Sequence, residues 1–220
     1  MTSSSGEKVK KTEPGRQINI LPADRLNAFA DGVFAIAITL LVLELPVPGE
    51  TEELFRALVE EWPDFLAYVI SFVFIGGFWV THASITQLTK QEDEVTFRLT
   101  LITLFFVSIV PFTTSLMASH ISGGGSQISV LIYGLDLFVA SLMLNAIMRY
   151  LARRPRLLVD DIAEEDFHIL ERRRRYGIFF NGIGVLLALF LPQVAVAIYI
   201  LVAIFFFVHP LFYRRILERS

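Results

Sequence analysis

Apolar and polar residues alternate along this chain in long blocks. Six apolar runs stand out, at roughly 27–45, 64–87, 97–118, 128–148, 176–191 and 194–211. Most approach the roughly 20 residues that an α-helix needs to cross a bilayer. The fifth is shorter and carries Asn181. One soluble core has no use for so many long runs, because a soluble domain of this size needs a polar exterior. The pattern therefore predicts an all-α membrane protein with six transmembrane helices.

Between the runs, the chain carries the signals that end helices. Pro46, Pro48 and Gly49 close the first run. Residues 50–61 place Leu54, Phe55, Leu58 and Val59 on a helical period, which predicts a short amphipathic helix at the outer surface. Trp62 then marks an interface. Gly76 and Gly77 lie inside the second run and would let a neighbour approach closely. Pro111 sits inside the third run, where it frees a carbonyl and predicts a kink. Residues 157–175 read as a charged helix leading into the fifth run. Leu191, Pro192 and Gln193 form the short joint to the sixth, which makes the last two helices antiparallel neighbours.

Composition agrees with this layout: 54% of the 220 residues are hydrophobic and 20 are Phe. Residues 1–20 are polar and read as a disordered tail. They lack the layout of a signal peptide, so the first run is expected to stay in the mature protein. The six-span body is expected over 21–213, with a second tail at 214–220. Cysteine is absent, which excludes disulfides and thiolate metal sites.

Charge sets the orientation. If the two tails and the second and fourth connections share one side, every one of the 19 basic residues except Arg56 falls there. Glu50, Glu52, Glu53, Glu60, Glu61 and Asp64 gather on the other side with Arg56. Positive residues stay on the cytoplasmic side, so both termini are expected in the cytoplasm. The arginines flank spans and mix with Asp160, Asp161, Glu164, Glu165 and Asp166, which argues against a nucleic-acid surface.

Ionisable residues inside spans are costly and need a reason. Arg25 stands at the inner interface, where its side chain can snorkel. Asp31 lies one to two turns deeper and needs a partner. Arg25 and Asp31 are about 120° apart on a regular helix, so the partner must come from another helix. The second run returns to the same depth with Trp79 and His82, three residues apart and both able to donate hydrogen bonds. An inner cluster of Arg25, Asp31, Trp79 and His82 follows. It can serve as a network holding helices together or as a proton relay.

Ile36, Leu40 and Leu43 form one helical stripe, which Phe29 and Gly32 extend inward, with Thr39 beside it. Periodicity alone reads the stripe as ordinary packing against another helix. A constriction of apolar side chains, of the kind that gates pores by dewetting, is the other reading. Asp136 lies within the fourth run, one turn from Tyr133, and Asn145 and Asn181 could bond across helices. There is no carbonyl filter loop, phosphate-binding glycine loop, nucleophile elbow or zinc-binding histidine motif. His82, His120, His168 and His209 are scattered. These absences point away from an enzyme and from any bound cofactor.

Three segments together resemble a known family. Arg25, Phe29 and Asp31, followed by Gly32–Val33–Phe34–Ala35–Ile36–Ala37–Ile38–Thr39, resemble the first-helix signature of the transmembrane-175 potassium channels. Phe78–Trp79–Val80–Thr81–His82–Ala83 resembles the family's tryptophan–histidine element, and Val110–Pro111–Phe112–Thr113 its proline–phenylalanine element. Ala30 stands where the family writes serine, and Ala83 where it has a second histidine.

The resemblance implies a bacterial, single-repeat, six-span chain in the inner membrane. It would assemble as a homotetramer whose first helix lines a central pore. It implies passive conduction of potassium and other monovalent cations, with Ile36, Leu40 and Leu43 at the constriction and Thr39 as the adjacent polar layer. Arg25, Phe29, Asp31, Trp79 and His82 would then form the network that places the pore helix. Few oxygen ligands line such a ring, so weak selectivity for potassium over sodium is expected. The alternative is a proton-coupled transporter using Asp31, His82 and Asp136.

Overall fold

The structure is a computed structural model, described over residues 23–49, 53–90, 92–121, 123–159 and 177–208. Both chain ends and residues 160–176 lie outside that description, and with them His168, His209 and the acidic cluster at 160–166. The order is α1 (Ala23–Leu43), α2 (Leu54–Glu60), α3 (Trp62–Gln87), α4 (Glu94–His120) and α5 (Ser126–Ala152). A 3-10 turn at Pro155–Leu157 follows, then α6 (Gly177–Ala188) and α7 (Pro192–Val208).

Among the described residues four helices, α1, α3, α4 and α5, are long and apolar enough to cross a membrane. The chain is an all-α, multi-span membrane protein. α6 and α7 are equally apolar in character but shorter.

Local chemistry sets the helix ends. Asp93 caps α4, its carboxylate accepting from the Thr96 backbone N–H at 3.0 Å, which satisfies one of the unpaired donors of a helix start. Pro63 occupies the first turn of α3, where its missing N–H costs nothing. For the same reason Pro192 begins α7. The joint before it is therefore Leu189–Leu191, not Leu191–Gln193, with the Leu191 N–H reaching back to the Leu187 carbonyl at 2.6 Å. α4 continues unbroken through Pro111. The Thr113 and Thr114 hydroxyls both reach the Val110 carbonyl, at 3.1 and 2.7 Å.

α4 and α5 make the most extensive helix pair, and α1 lies across α3 and α4. α3 also touches α5 and α7. Leu26, Ala30, Phe34, Ala37 and Leu41 form the buried face of α1, at the helical spacing of one stripe. They meet a core that includes Phe74, Ile75, Val107, Met117, Tyr133 and Leu137.

Two expectations fail. Gly76 and Gly77 receive no close neighbour, since a Cβ built on either would find nothing within 4 Å among the described residues. The start of the charged segment is not helical. Leu157 ends the 3-10 turn, and Leu158 forms an isolated antiparallel bridge with Thr89. The Lys90 N–H donates to the Leu157 carbonyl at 2.8 Å, and the Val159 N–H to that of Leu88 at 3.1 Å. The backbone there closes a contact between the α3–α4 and α5–α6 connections, and Pro155 favours the turn over a continued helix.

Candidate ion pathway on the first helix

α1 divides cleanly into two faces. Outside its buried face, Phe29 (55% exposed), Ile36 (59%), Leu40 (40%) and Leu43 (75%) stay open among the described residues. Gly32 and Thr39 are exposed beside them. The stripe thus does not pack on another helix among the described residues. The Thr39 hydroxyl donates to the Ile36 carbonyl at 2.9 Å, a back-bond that satisfies a polar group within the helix itself.

Asp31 is exposed at the far edge of the open side, about 140° round the helix from Ile36. The indole Nε1–H of Trp79 donates to its carboxylate at 2.9 Å. That bond joins α1 to α3 at the depth where the two helices meet. His82, one turn beyond Trp79, is buried. Its ring faces Phe34, with centroids 5.7 Å apart, and makes no hydrogen bond to Asp31. Arg25 is exposed and makes no ion pair among the described residues. The structure therefore brings Asp31 and Trp79 together directly. His82 packs one layer behind them, while Arg25 and Phe29 stay on the open face.

A second polar cluster sits away from α1. The Thr113 hydroxyl is 3.0 Å from Asp136 Oδ2, joining α4 to α5. The Thr114 hydroxyl is 2.7 Å from Ser71 Oγ, which is 3.0 Å from the Tyr133 hydroxyl. Three helices are tied by this chain. Tyr133 therefore serves Ser71, and Asp136 serves Thr113, although the two lie one turn apart on α5. Asn181 donates to Ser141 at 2.9 Å, binding α6 to α5. Asn145 is buried, and its side-chain oxygen has no partner among the described residues. The hydroxyls on α3 and α4 escaped the sequence reading. Their only signal there was a set of Ser and Thr residues inside apolar runs.

At the α3–α4 connection, burial pushes the Glu92 carboxyl up to about 7, and the neighbouring Asp93 charge adds to the effect. Burial also acts against the Asp93 charge. It is outweighed by hydrogen bonds from Tyr150 and Thr96 and by nearby Arg154, which hold Asp93 below its usual range. Arg154 lies over the Tyr150 ring, 4.8 Å from its centroid. Among the described residues no group of three or more His, Asp or Glu side chains is placed to hold a metal.

Comparison with known proteins places this helix in context. The model of the endosomal/lysosomal potassium channel TMEM175 family matches residues 25–111. A potassium channel of Chamaesiphon minutus is 31% identical over 186 residues, covering 83% of this chain and 92% of that protein. The chain belongs to the TMEM175 family. A potassium channel of a Chryseobacterium species is 32% identical over 186 residues, covering 82% of this chain and 90% of its own length. The human relative, an endosomal/lysosomal proton channel, is 35% identical over 101 residues, 41% of this chain and 20% of that protein. The crystal structure of a lysosomal potassium-selective TMEM175 homolog from Chamaesiphon minutus superposes with a TM-score of 0.75 at 29% identity. It covers 84% of this chain and 95% of that one.

Proposed function

We propose that this TMEM175-family protein is a passive, potassium-permeable cation channel whose pathway is lined by α1. The uncovered stripe of Ile36, Leu40 and Leu43 carries this reading. A helix buried on one face and left open along a regular stripe on the other has a surface that its own chain does not fill. Asp31 stands about 140° round the helix from Ile36, where Trp79 of α3 holds it and leaves the stripe wholly apolar.

Several copies must surround such a stripe to enclose a pathway, and a homotetramer with six spans per chain is the assembly we propose. Closed cyclic symmetry places the same face of each copy at the axis. Both termini would then be cytoplasmic in the inner membrane, following the basic residues. Selectivity for potassium over sodium would be weak. Ile36, Leu40 and Leu43 offer no oxygens, and Thr39, whose hydroxyl donates to its own backbone, adds only one side-chain oxygen per chain. Asp31 and Trp79 would hold α1 in place against α3, with His82 behind them.

The test is flux. Purified protein in liposomes should carry potassium down its gradient, and sodium somewhat less, without a coupled substrate. Ile36→Asn should change the rate or the selectivity while assembly is kept, and Asp136→Asn should leave passive flux in place. Flux that is absent from well-folded protein at acidic and neutral pH would overturn the proposal. Flux that requires a proton gradient and vanishes in Asp136→Asn would favour the coupled transporter.

A further inference from the structure

α2 is a seven-residue helix in which no residue is buried. Helices this short do not hold their shape alone in water, because nucleation is costly and they have few bonds to repay it. Something must therefore cover one side of it. At about 100° per residue, Glu53, Arg56 and Glu60 share one side, and Leu54, Phe55 and Leu58 the opposite side. The polar side is already satisfied: Arg56 pairs with Glu53 at 3.3 Å and with Glu60 at 3.1 Å. The apolar side is bare, with Leu54 53%, Phe55 82% and Leu58 39% exposed.

Position identifies the cover. Only Glu61 separates α2 from α3. The 26 residues of α3 span roughly 39 Å at 1.5 Å per residue, against about 30 Å for the hydrocarbon core. The first turn of α3 therefore stands at the headgroup boundary, where Trp62, 60% exposed, is a typical occupant. The apolar exposure of α2 continues through Trp62 onto Phe65, Val69 and Phe72, which are exposed along α3.

We infer that α2 lies in the membrane interface, with Leu54, Phe55 and Leu58 seated among the acyl chains of the adjoining leaflet. The surrounding charge selects the lipid. Glu53, Glu60, Glu61 and Asp64 outnumber the single Arg56, so anionic headgroups gain nothing here. The partner is a neutral, zwitterionic phospholipid surface held by apolar insertion. The connection between α1 and α3 would then be anchored to the bilayer at the end of α1 that carries Leu43. This inference rests on α3 crossing the membrane and is independent of which ion the protein conducts.

The chain contains no cysteine, so single labels can be placed cleanly. Full-length Leu54→Cys, Phe55→Cys, Leu58→Cys and Arg56→Cys variants would carry a nitroxide in phosphatidylcholine liposomes. Oxygen and a water-soluble nickel chelate then report lipid and water by spin relaxation. The expected result is several-fold greater accessibility to oxygen than to nickel at 54, 55 and 58, and the reverse at 56. Three apolar positions keep the test decisive if one variant fails to fold. Adding anionic lipid should leave the pattern unchanged. Equal nickel access at all four positions would overturn the inference. So would spin–spin broadening at 55 that disappears on dilution with unlabelled protein, because that would place a second copy on the apolar face.

Discussion

Gly134→Ala is the most sharply defined perturbation of the bundle. A Cβ at Gly134 would lie 2.0 Å from the Tyr199 hydroxyl oxygen and 3.1 Å from its Cζ. A hydroxyl at the end of a side chain can often swing away, but Tyr199 is fully buried. Its ring is gripped from the other side by Gly184, where a Cβ would come within 2.4 Å of Cε1. Edge contacts with Tyr133 and Phe74, at centroid distances of 5.6 and 6.4 Å, close the remaining directions. Overpacking of this kind costs about 1–3 kcal/mol. At about 2–4 °C per kcal/mol for a chain of this size, the Tm should fall by roughly 2–12 °C. Tyr199→Phe removes the clashing oxygen, which has no partner among the described residues. Alone it should be neutral or slightly stabilising, because an unpaired buried hydroxyl carries a desolvation cost. In Gly134→Ala/Tyr199→Phe the nearest ring atom stands at 3.1 Å, so most of the loss should return. The assay is thermal unfolding of the four proteins in one detergent, read as a double-mutant cycle. A Gly134→Ala protein as stable as the parent would refute the reasoning. So would a penalty of the same size with Phe at 199.

Trp79→Phe keeps an aromatic ring at the α1–α3 contact but removes the donor to Asp31. Stability should fall by about 1 kcal/mol, as expected for one partly exposed hydrogen bond, and the loss should shrink in an Asp31→Ala background. The same thermal assay checks both. Glu92 makes a pH prediction. Its folded pKa, about 7, lies above the unfolded value near 4.5. The folded state therefore holds the proton more tightly, and the stabilisation is complete below pH 4.5. It is lost as pH rises through 7. Glu92→Gln should flatten that part of the stability–pH curve and be the more stable protein at pH 8. A curve in the variant that still falls between pH 5 and 7 would assign the titration elsewhere.

Much of α1 could be read before any coordinates. Its 3.6-residue period marks Ile36, Leu40 and Leu43 as one stripe, and matching depths along antiparallel helices set Trp79 opposite Asp31; the packed stripe of Leu26, Ala30, Phe34, Ala37 and Leu41 emerges only in the fold. What periodicity could not say is whether the second stripe meets another helix of the chain, because that depends on how many neighbours α1 has. His82 was expected to donate to Asp31, yet its ring turns to Phe34. The three-residue offset from Trp79 gives the height of His82 but not the direction of its side chain. The hydroxyl links are of another kind. Thr113 and Asp136 are 23 residues apart, Thr114 and Ser71 are 43, and Ser71 and Tyr133 are 62. Such pairs become visible only once the helices are packed. The notch at Gly134 and Gly184 is similar: each glycine reads as a packing residue, but only the fold shows one tyrosine filling both. Gly76 and Gly77 carry the same letters and meet no close neighbour among the described residues.

The pore assignment is tested most directly by chemical access to α1. Leu40→Cys in the cysteine-free chain would be reconstituted in a planar bilayer, and potassium current recorded before and after a charged, water-soluble methanethiosulfonate reagent. Leu41→Cys is the control, since Leu41 is buried on the packed face of α1. A pathway along the open stripe predicts that current through Leu40→Cys changes abruptly on modification, while Leu41→Cys is untouched. Potassium current through Leu40→Cys that persists unaltered, with the thiol shown to be modified, would place the pathway somewhere other than α1.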